Sequence, residues 1–284
     1  MSKDSTTAQG RGGAEAGTRF LQRGEGRIAY DVEGRGPLVV CVPGMGELRS
    51  SYRFLRPALL EAGYRVATMD LRGHGQSDPT FSSYDDVAAG ADTLALIDEL
   101  GGGPAVLVGN SMGAGAAAWA AAEAPGKVSA LVLMGPFVRQ VPVGKLMEWA
   151  FRLAMMRPWG RAAWLSYYPK LFPGRRPPDF DEHRARIAAS LKEPGKWAAF
   201  ARTTRTSHAP VEERLHEVRA PTLVVMGSAD PDFPDPEEEA SLVADRLDGE
   251  VLLVPDAGHY PQAEYPEVVS PAVLEFLERT VPKG

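Results

Sequence analysis

This 284-residue sequence predicts an α/β fold: a mostly parallel central sheet with helices on both faces and one helical insertion. Three observations predict it. Short apolar runs alternate with stretches of helical spacing, which is the pattern of βαβ units. One such run, "AVLVG" from Ala105, enters the turn Gly109-Asn110-Ser111-Met112-Gly113 and leaves it in an Ala-rich stretch, so a strand turns sharply into a helix. The alternation then breaks between about Gly135 and Pro210, a region that holds Trp149, Trp159, Trp164 and Trp197 and no convincing buried strand.

Taken in order, the first 18 residues are polar and Gly-rich and read as a disordered tail. They lack the apolar middle of a signal peptide. "RIAYDVEG" alternates apolar and polar residues, as a half-buried antiparallel edge strand does. "PLVVCV", "YRVATMD", "AVLVG", "KVSALVLMG", "APTLVVMG" and "EVLLVPD" are continuous apolar runs, as in strands covered on both faces. "DDVAAGADTLALIDELGG" has helical spacing and stops at three glycines. "DPEEEASLVADRL" and "PEVVSPAVLEFLERTV" supply later helices. The expected organisation is a tail over 1–18, a core over 19–135 and 211–284, and a helical cap over 136–210. Such a cap belongs over the carboxyl ends of the strands, where open α/β sheets bind ligands.

Composition narrows the function. A hydrophobic content of 44% with 24% charged residues fits a globular chain with an ample core. The net charge of -6 leaves no basic footprint for nucleic acid. Cys41 is the single cysteine, so no internal disulfide can form, and "LVVCVPG" packs it as a small apolar residue. No apolar run approaches the roughly 20 residues of a membrane span. The cytoplasm is the expected location, and the oligomeric state is open.

The chemistry gathers at Ser111. The turn around it matches G-x-S-x-G, after a strand and before a helix. A tight turn strains the serine backbone, and Gly109 and Gly113 remove side chains that would collide. Ser111 Oγ is thereby exposed, and the helix N-terminus faces any negative charge that develops beside it. The alternative is an ordinary Gly-Ser turn in a Rossmann-like domain.

The rest of the chain favours the first reading, because the sequence resembles the α/β-hydrolase fold family from about residue 20 onward. "MDLRGHGQSD" resembles the family's D-x-R-G-x-G-x-S-D segment, and "VPGMGELRSSYRFLRPAL" its oxyanion loop and following helix. "PTLVVMGSADPDFP" is similar to the acid-bearing segment, and "VPDAGHYPQAEYPE" to the His-bearing one. The chain order Ser, Asp, His is the one this fold uses. The resemblance implies Ser111 as nucleophile, His259 as base and Asp230 as the acid that orients it, with Asp232 and Asp256 as rivals on neighbouring loop positions. It implies an oxyanion hole from the N–H groups of Met45 and Met112. His74 lies in a turn that the family uses structurally. His183, His208 and His216 lie among polar residues and are expected to be solvated. Asp70 and Asp78 are expected to brace the turn around Arg72. Where relatives commonly carry His-Gly, this chain has Pro43-Gly44, and the sequence shows no replacement for that bracing imidazole.

Phe137, Trp149, Met156, Trp159 and Tyr260 are expected to line an apolar pocket. The competing expectation is that "LMEWAFRLAMM" is an amphipathic helix packing its apolar face on the core. No metal-ligand cluster is seen and no cofactor is expected. The resemblance implies a serine hydrolase for small or medium carboxylic esters. Its alternatives are a carbon–carbon bond hydrolase of diketo acids, which "GNSMG" resembles, or a perhydrolase like cofactor-free haloperoxidases. Dehalogenase and epoxide hydrolase chemistry is disfavoured, because those relatives carry Asp at the elbow. A non-catalytic binder on the same fold is the remaining class.

Overall fold

The computed structural model of the chain describes residues 17–140 and 144–281. The tail expected over 1–18 lies, for its first 16 residues, outside the described residues. Eight strands form one sheet: β1 (Arg19–Arg23), β2 (Gly26–Glu33), β3 (Leu38–Val42), β4 (Arg65–Met69), β5 (Ala105–Asn110), β6 (Val128–Met134), β7 (Thr222–Gly227) and β8 (Glu250–Val254). Their order in space is β1-β2-β4-β3-β5-β6-β7-β8. β1 pairs antiparallel with β2 and β2 with β4, while all later pairings are parallel. The helices are α1 (Leu55–Glu61), α2 (Asp86–Glu99), α3 (Met112–Glu123), α4 (Lys145–Ala154), α5 (Gly160–Tyr167), α6 (Phe180–Ser190), α7 (Lys196–Thr203), α8 (Ala209–Glu212), α9 (Pro236–Leu247), α10 (Pro261–Glu264) and α11 (Pro266–Thr280). Among the described residues none is long and apolar enough to cross a membrane.

Successive side chains of a strand point to opposite faces, so each parallel strand feeds two cores. Val40 and Val42 of β3 pack with Leu96 of α2, Ala116 of α3 and Val243 of α9. Val39 and Cys41 pack on the other face with Leu55 of α1 and Phe276 of α11. Cys41 is therefore a core residue, and burial pushes its thiol up to about 12.

β5 is central, and the Ala-rich α3 that follows it is almost wholly buried. The small residues let this helix lie close to the sheet. At Gly113 a Cβ would fall 2.1 Å from the Val42 carbonyl oxygen, closer than any real contact.

Between β6 and β7 no strand occurs among the described residues, and α4 to α8 fill the interval. A third core holds them together: Trp164, Tyr168, Phe200, Phe172 and Phe180 pack with Tyr260 and Ala263, and Met45 lies against them. Met45 leaves the carboxyl end of β3, and Tyr260 follows that of β8. The insertion thus covers the carboxyl edge of the sheet. One expectation fails here. Among the described side chains, Met155 at the end of α4 is buried, whereas Trp149, Phe151, Leu153 and Met156 are exposed, so these four are not packed on the core.

The closeness of α3 to β3 can be tested by a single methyl group. Gly113→Ala should lower the unfolding free energy by about 1–3 kcal/mol or more through overpacking against backbone. Gly126→Ala, with nothing within 4 Å of the new Cβ, should be nearly neutral. Urea unfolding of the two variants checks this; equal stability would mean that the helix is not held against the strand.

Candidate active site

Ser111 sits between β5 and α3 with φ 57° and ψ -125°, a conformation that a residue with a side chain rarely adopts. Such strain costs of order 1–3 kcal/mol and persists only where surroundings impose it. Here the Ser111 N–H donates to the Met134 carbonyl at 2.9 Å, and the N–H groups of Ala114 and Phe137 donate to the Ser111 carbonyl. The side chain is left at the surface of the elbow, and Ser111 Oγ makes no hydrogen bond among the described residues.

His259 and Asp230 come from loops at the carboxyl ends of β8 and β7. His259 Nδ1 lies 2.7 Å from Asp230 Oδ2, with both side chains almost fully buried. A carboxylate accepts, so Nδ1 carries a proton and Nε2 is the free end of the ring. The backbone of His259 is pinned on both sides: its N–H donates to the Leu171 carbonyl, and Asn110 Nδ2 donates to its carbonyl and to that of Met134. Asn110 therefore ties the base loop to the strand that carries Ser111. Gly135, with φ 48°, makes room for the pair: a Cβ there would meet His259 Nδ1 at 3.1 Å and Asp230 Oδ2 at 3.2 Å.

A second carboxylate faces the other ring nitrogen. Asp232 Oδ2 is 3.8 Å from His259 Nε2, and the Tyr167 hydroxyl of α5 donates to Asp232 Oδ1. Burial works against a charged imidazole, but Asp230 and Asp232 outweigh it and push His259 up to about 9. Burial likewise raises Asp232 above the ordinary carboxylate range. Asp230, Asp232 and His259 offer ligand atoms all within 4.8 Å of one another, so they could together hold a cation. Sequence analysis names all three residues but sees no metal-ligand cluster, because its members lie on two loops that only the fold brings together.

The loop after β3 supplies the remaining donors. Gly44 is so close to the elbow that a Cβ there would fall 2.8 Å from Ser111 Cβ. Neither the Met45 N–H nor the Met112 N–H, which opens α3, has an acceptor among the described residues. The loop is braced by His74, the imidazole that sequence reading assigned only to a structural turn. Gly46 N–H donates to His74 Nε2 at 3.0 Å, and His74 Nδ1 lies 2.9 Å from the Arg72 carbonyl. An N–H can only donate and a carbonyl only accept, so the partners require the neutral Nδ1–H tautomer. Burial pushes the His74 pKa down to about 4, in agreement. The next residue, Glu47, is buried and accepts from the Tyr168 hydroxyl and from His183 Nε2 at 2.8 Å. Burial alone would raise Glu47, yet His183 and these hydrogen bonds hold its carboxyl below the ordinary range.

Several expectations change. His183 is buried on Glu47, and His208 Nδ1 lies 2.6 Å from buried Asp86, so neither is solvated; only His216 is exposed. Arg72 itself is held by Asp92, while Asp70 accepts from the Gln76 N–H of the turn and pairs with Arg49, and Asp78 pairs with Arg27. Phe137 and Tyr260 do reach His259, with ring centroids 5.9 and 5.2 Å from that of its imidazole. Trp149, Met156 and Trp159 are exposed, unlike the buried Ser111, Asp230 and His259. The aromatic nearest the oxyanion loop is instead Trp164, whose ring crowds Gly46. Asp256 packs no hydrogen bond against His259; its N–H is held by Ser228.

Comparison with known proteins came out as follows. A family model described as the alpha/beta hydrolase family matches residues 39–272. A candidate non-heme bromoperoxidase of Mycobacterium tuberculosis, BpoC, is 34% identical over 273 residues, covering 88% of this chain and 97% of the relative. A 2-hydroxy-6-oxononadienedioate/2-hydroxy-6-oxononatrienedioate hydrolase of Pseudomonas putida is 32% identical over 289 residues, covering 92% and 96%. In structure, an esterase from Exiguobacterium antarcticum superposes with a TM-score of 0.78 at 21% identity, covering 91% of this chain and 98% of that one. That last likeness concerns the fold alone.

The neutral brace at His74 has a signature in stability. With its folded pKa near 4 against 6.5 unfolded, the unfolded chain binds the extra proton, so this contribution is complete above pH 6.5 and is lost as pH falls toward 4. His74→Gln keeps an acceptor for Gly46 but cannot titrate. The gap in unfolding free energy between variant and wild type should narrow by ~3 kcal/mol from pH 7 to pH 4, followed by urea titration. A gap that stays constant across that range would rule out the neutral imidazole.

Proposed function

The chain belongs to the alpha/beta hydrolase family, and from that premise we propose that it is a serine hydrolase of small or medium, uncharged carboxylic esters. The observation that carries this reading is the buried 2.7 Å link from Asp230 to His259, set at the same sheet edge as a strained Ser111 and two unengaged N–H groups.

In the proposed mechanism Ser111 Oγ attacks the ester carbonyl carbon while its proton passes to His259 Nε2. The carbonyl oxygen becomes an oxyanion that accepts from the Met45 and Met112 N–H groups. The tetrahedral intermediate collapses, the alkoxide leaves and takes the proton from Nε2, and an acyl-enzyme remains. Water then gives its proton to Nε2 and attacks the acyl carbon. A second collapse frees the acid and returns the proton to Ser111. Asp230 holds the ring in the tautomer that leaves Nε2 free and stabilises the imidazolium. Once the reaction needs no hydride or electron transfer, no cofactor is called for.

Uncharged esters are favoured over diketo acids by charge. The Asp232 carboxylate beside Nε2 opposes a substrate carboxylate at the same place. Nearby cations that could offset it are held elsewhere: Arg184 of the insertion by the Leu165 carbonyl, Arg202 by the Phe81 and Ser82 carbonyls, and Arg53, before α1, by Asp179. We assign the segment 136–210 the role of a cap that selects the acyl group, supported by the packing of Trp164, Tyr168 and Phe200 against Met45 and Tyr260. The similarity to BpoC favours one further reading. In it hydrogen peroxide replaces water as the attacking nucleophile on the acyl-enzyme and yields a peracid. A panel of p-nitrophenyl esters of rising chain length, with a diketo acid and a peracid assay alongside, separates these reactions.

Ser111→Ala should abolish ester turnover and fluorophosphonate labelling, apart from a residual catalysis of roughly 10³–10⁴ over water from the N–H donors and binding. Near wild-type kcat in this variant would remove the nucleophile assignment.

A pH profile tests the acid and its rival together. With His259 near 9, kcat/KM should rise between pH 7 and 9 as Nε2 loses its proton. Asp232→Asn should move that midpoint to lower pH and keep kcat at its plateau. Asp230→Asn should lose up to roughly 10⁴-fold in kcat, because the wrong tautomer is then held. A larger loss in Asp232→Asn than in Asp230→Asn would exchange the two roles.

A further inference from the structure

Among the described residues, the exposed apolar surface of the insertion has no counterpart elsewhere. Trp149 is 62% exposed, Met156 53% and Trp159 49%, with Phe151 and Leu153 exposed beside them. Trp149, Leu153 and Met156 recur at helical spacing along one face of α4 and the turn that ends it. Trp159 extends that face, since its indole N–H donates to the Leu153 carbonyl at 3.0 Å. Large apolar side chains gathered on a surface mark a place of interaction.

The charge around this patch says what it meets. From Trp149 to Pro178 the sequence carries Arg152, Arg157, Arg161, Lys170, Arg175 and Arg176 and not a single Asp or Glu. The whole chain nevertheless has a net charge of -6, so this stretch is a cationic island on an acidic protein. Arg157 and Arg161, both exposed, have no ion-pair partner among the described residues. Tryptophans with arginines at their flanks suit the boundary between headgroups and acyl chains, where the rings are half-immersed and the guanidinium groups meet phosphates. A second copy of the chain suits the patch poorly, because a two-fold contact would bring two copies of the same cationic patch together.

We propose that the face formed by α4 and the start of α5 docks on an anionic lipid surface. The apolar residues supply the immersion and the arginines the preference for negative headgroups. Docking there would place the insertion that packs on the Met45 loop and on Tyr260 against the source of an acyl substrate. The inference stands apart from the hydrolytic reading, since binding needs neither Ser111 nor turnover.

The test is sedimentation of the full chain with vesicles of phosphatidylcholine, with and without phosphatidylglycerol. The chain should pellet with the anionic vesicles, remain in solution with the neutral ones, and dissociate as salt is raised. Arg157→Gln and Arg161→Gln should each lower partitioning by roughly fivefold. The double change Trp149→Ser with Trp159→Ser should abolish pelleting while leaving the thermal transition unchanged, because both side chains are exposed. Failure to pellet with anionic vesicles would overturn the proposal, as would equal pelleting with both compositions. So would self-association in the ultracentrifuge that Trp149→Ser disrupts.

Discussion

The close contact between α3 and β3 is the constraint on which the site depends. α3 can leave β5 as abruptly as it does only because Gly113 puts backbone against the Val42 and Pro43 carbonyls. That contact fixes where the chain reverses, and the reversal forces Ser111 to a positive φ. The strain is repaid by neighbours: Met134 accepts the Ser111 N–H, and Ala114 and Phe137 grip its carbonyl. Met134 also accepts from Asn110, whose amide reaches on to the His259 carbonyl. Position at the centre of the sheet is thus passed, bond by bond, to the imidazole on the β8 loop.

Two buried histidines then show how one interior yields opposite charge states. His74 and His259 are both desolvated, which disfavours the imidazolium in each. His74 faces an N–H and a carbonyl, and the pull of the carbonyl is too weak to offset burial, so it is pushed down to about 4. His259 faces Asp230 on one nitrogen and Asp232 near the other, and it is pushed up to about 9. The first is a rigid acceptor that positions the Met45-Gly46 turn. The second is a group whose proton can be exchanged. Burial is common to both, so the partners decide the function.

Much of this was legible in the sequence, and the reasons are local. The apolar runs of β3 to β7 announce strands because both faces are covered, and G-x-S-x-G announces the elbow because few turns require glycine on both sides of a serine. Asp230 and His259 follow strand ends, where the turn chemistry is visible. What was not legible depends on contacts between segments far apart in the chain. Nothing in "RGHG" says that His74 reaches Gly46, 28 residues earlier. Nothing near Tyr167 points to Asp232, 65 residues later. The amphipathic spacing of α4 was read correctly as a helix, but spacing cannot say whether its apolar face meets protein or the outside.

The insertion is therefore an electrical as well as a steric part of the site. Three neighbouring residues carry the link. Tyr167 donates to Asp232, Tyr168 donates to Glu47, and the Leu171 carbonyl receives the His259 N–H. They belong to α5 and the short 3-10 helix Tyr168–Leu171 that continues it. A displacement of this one segment would release the second carboxylate beside His259, loosen the loop that carries Met45, and free the backbone of the base, all at once. The Tyr167 hydroxyl steadies the Asp232 negative charge where it raises the affinity of His259 for a proton. Withdrawing that hydroxyl frees the carboxylate to turn to solvent, and the base becomes easier to deprotonate. The insertion and the proton affinity of His259 are thus linked through a single phenol.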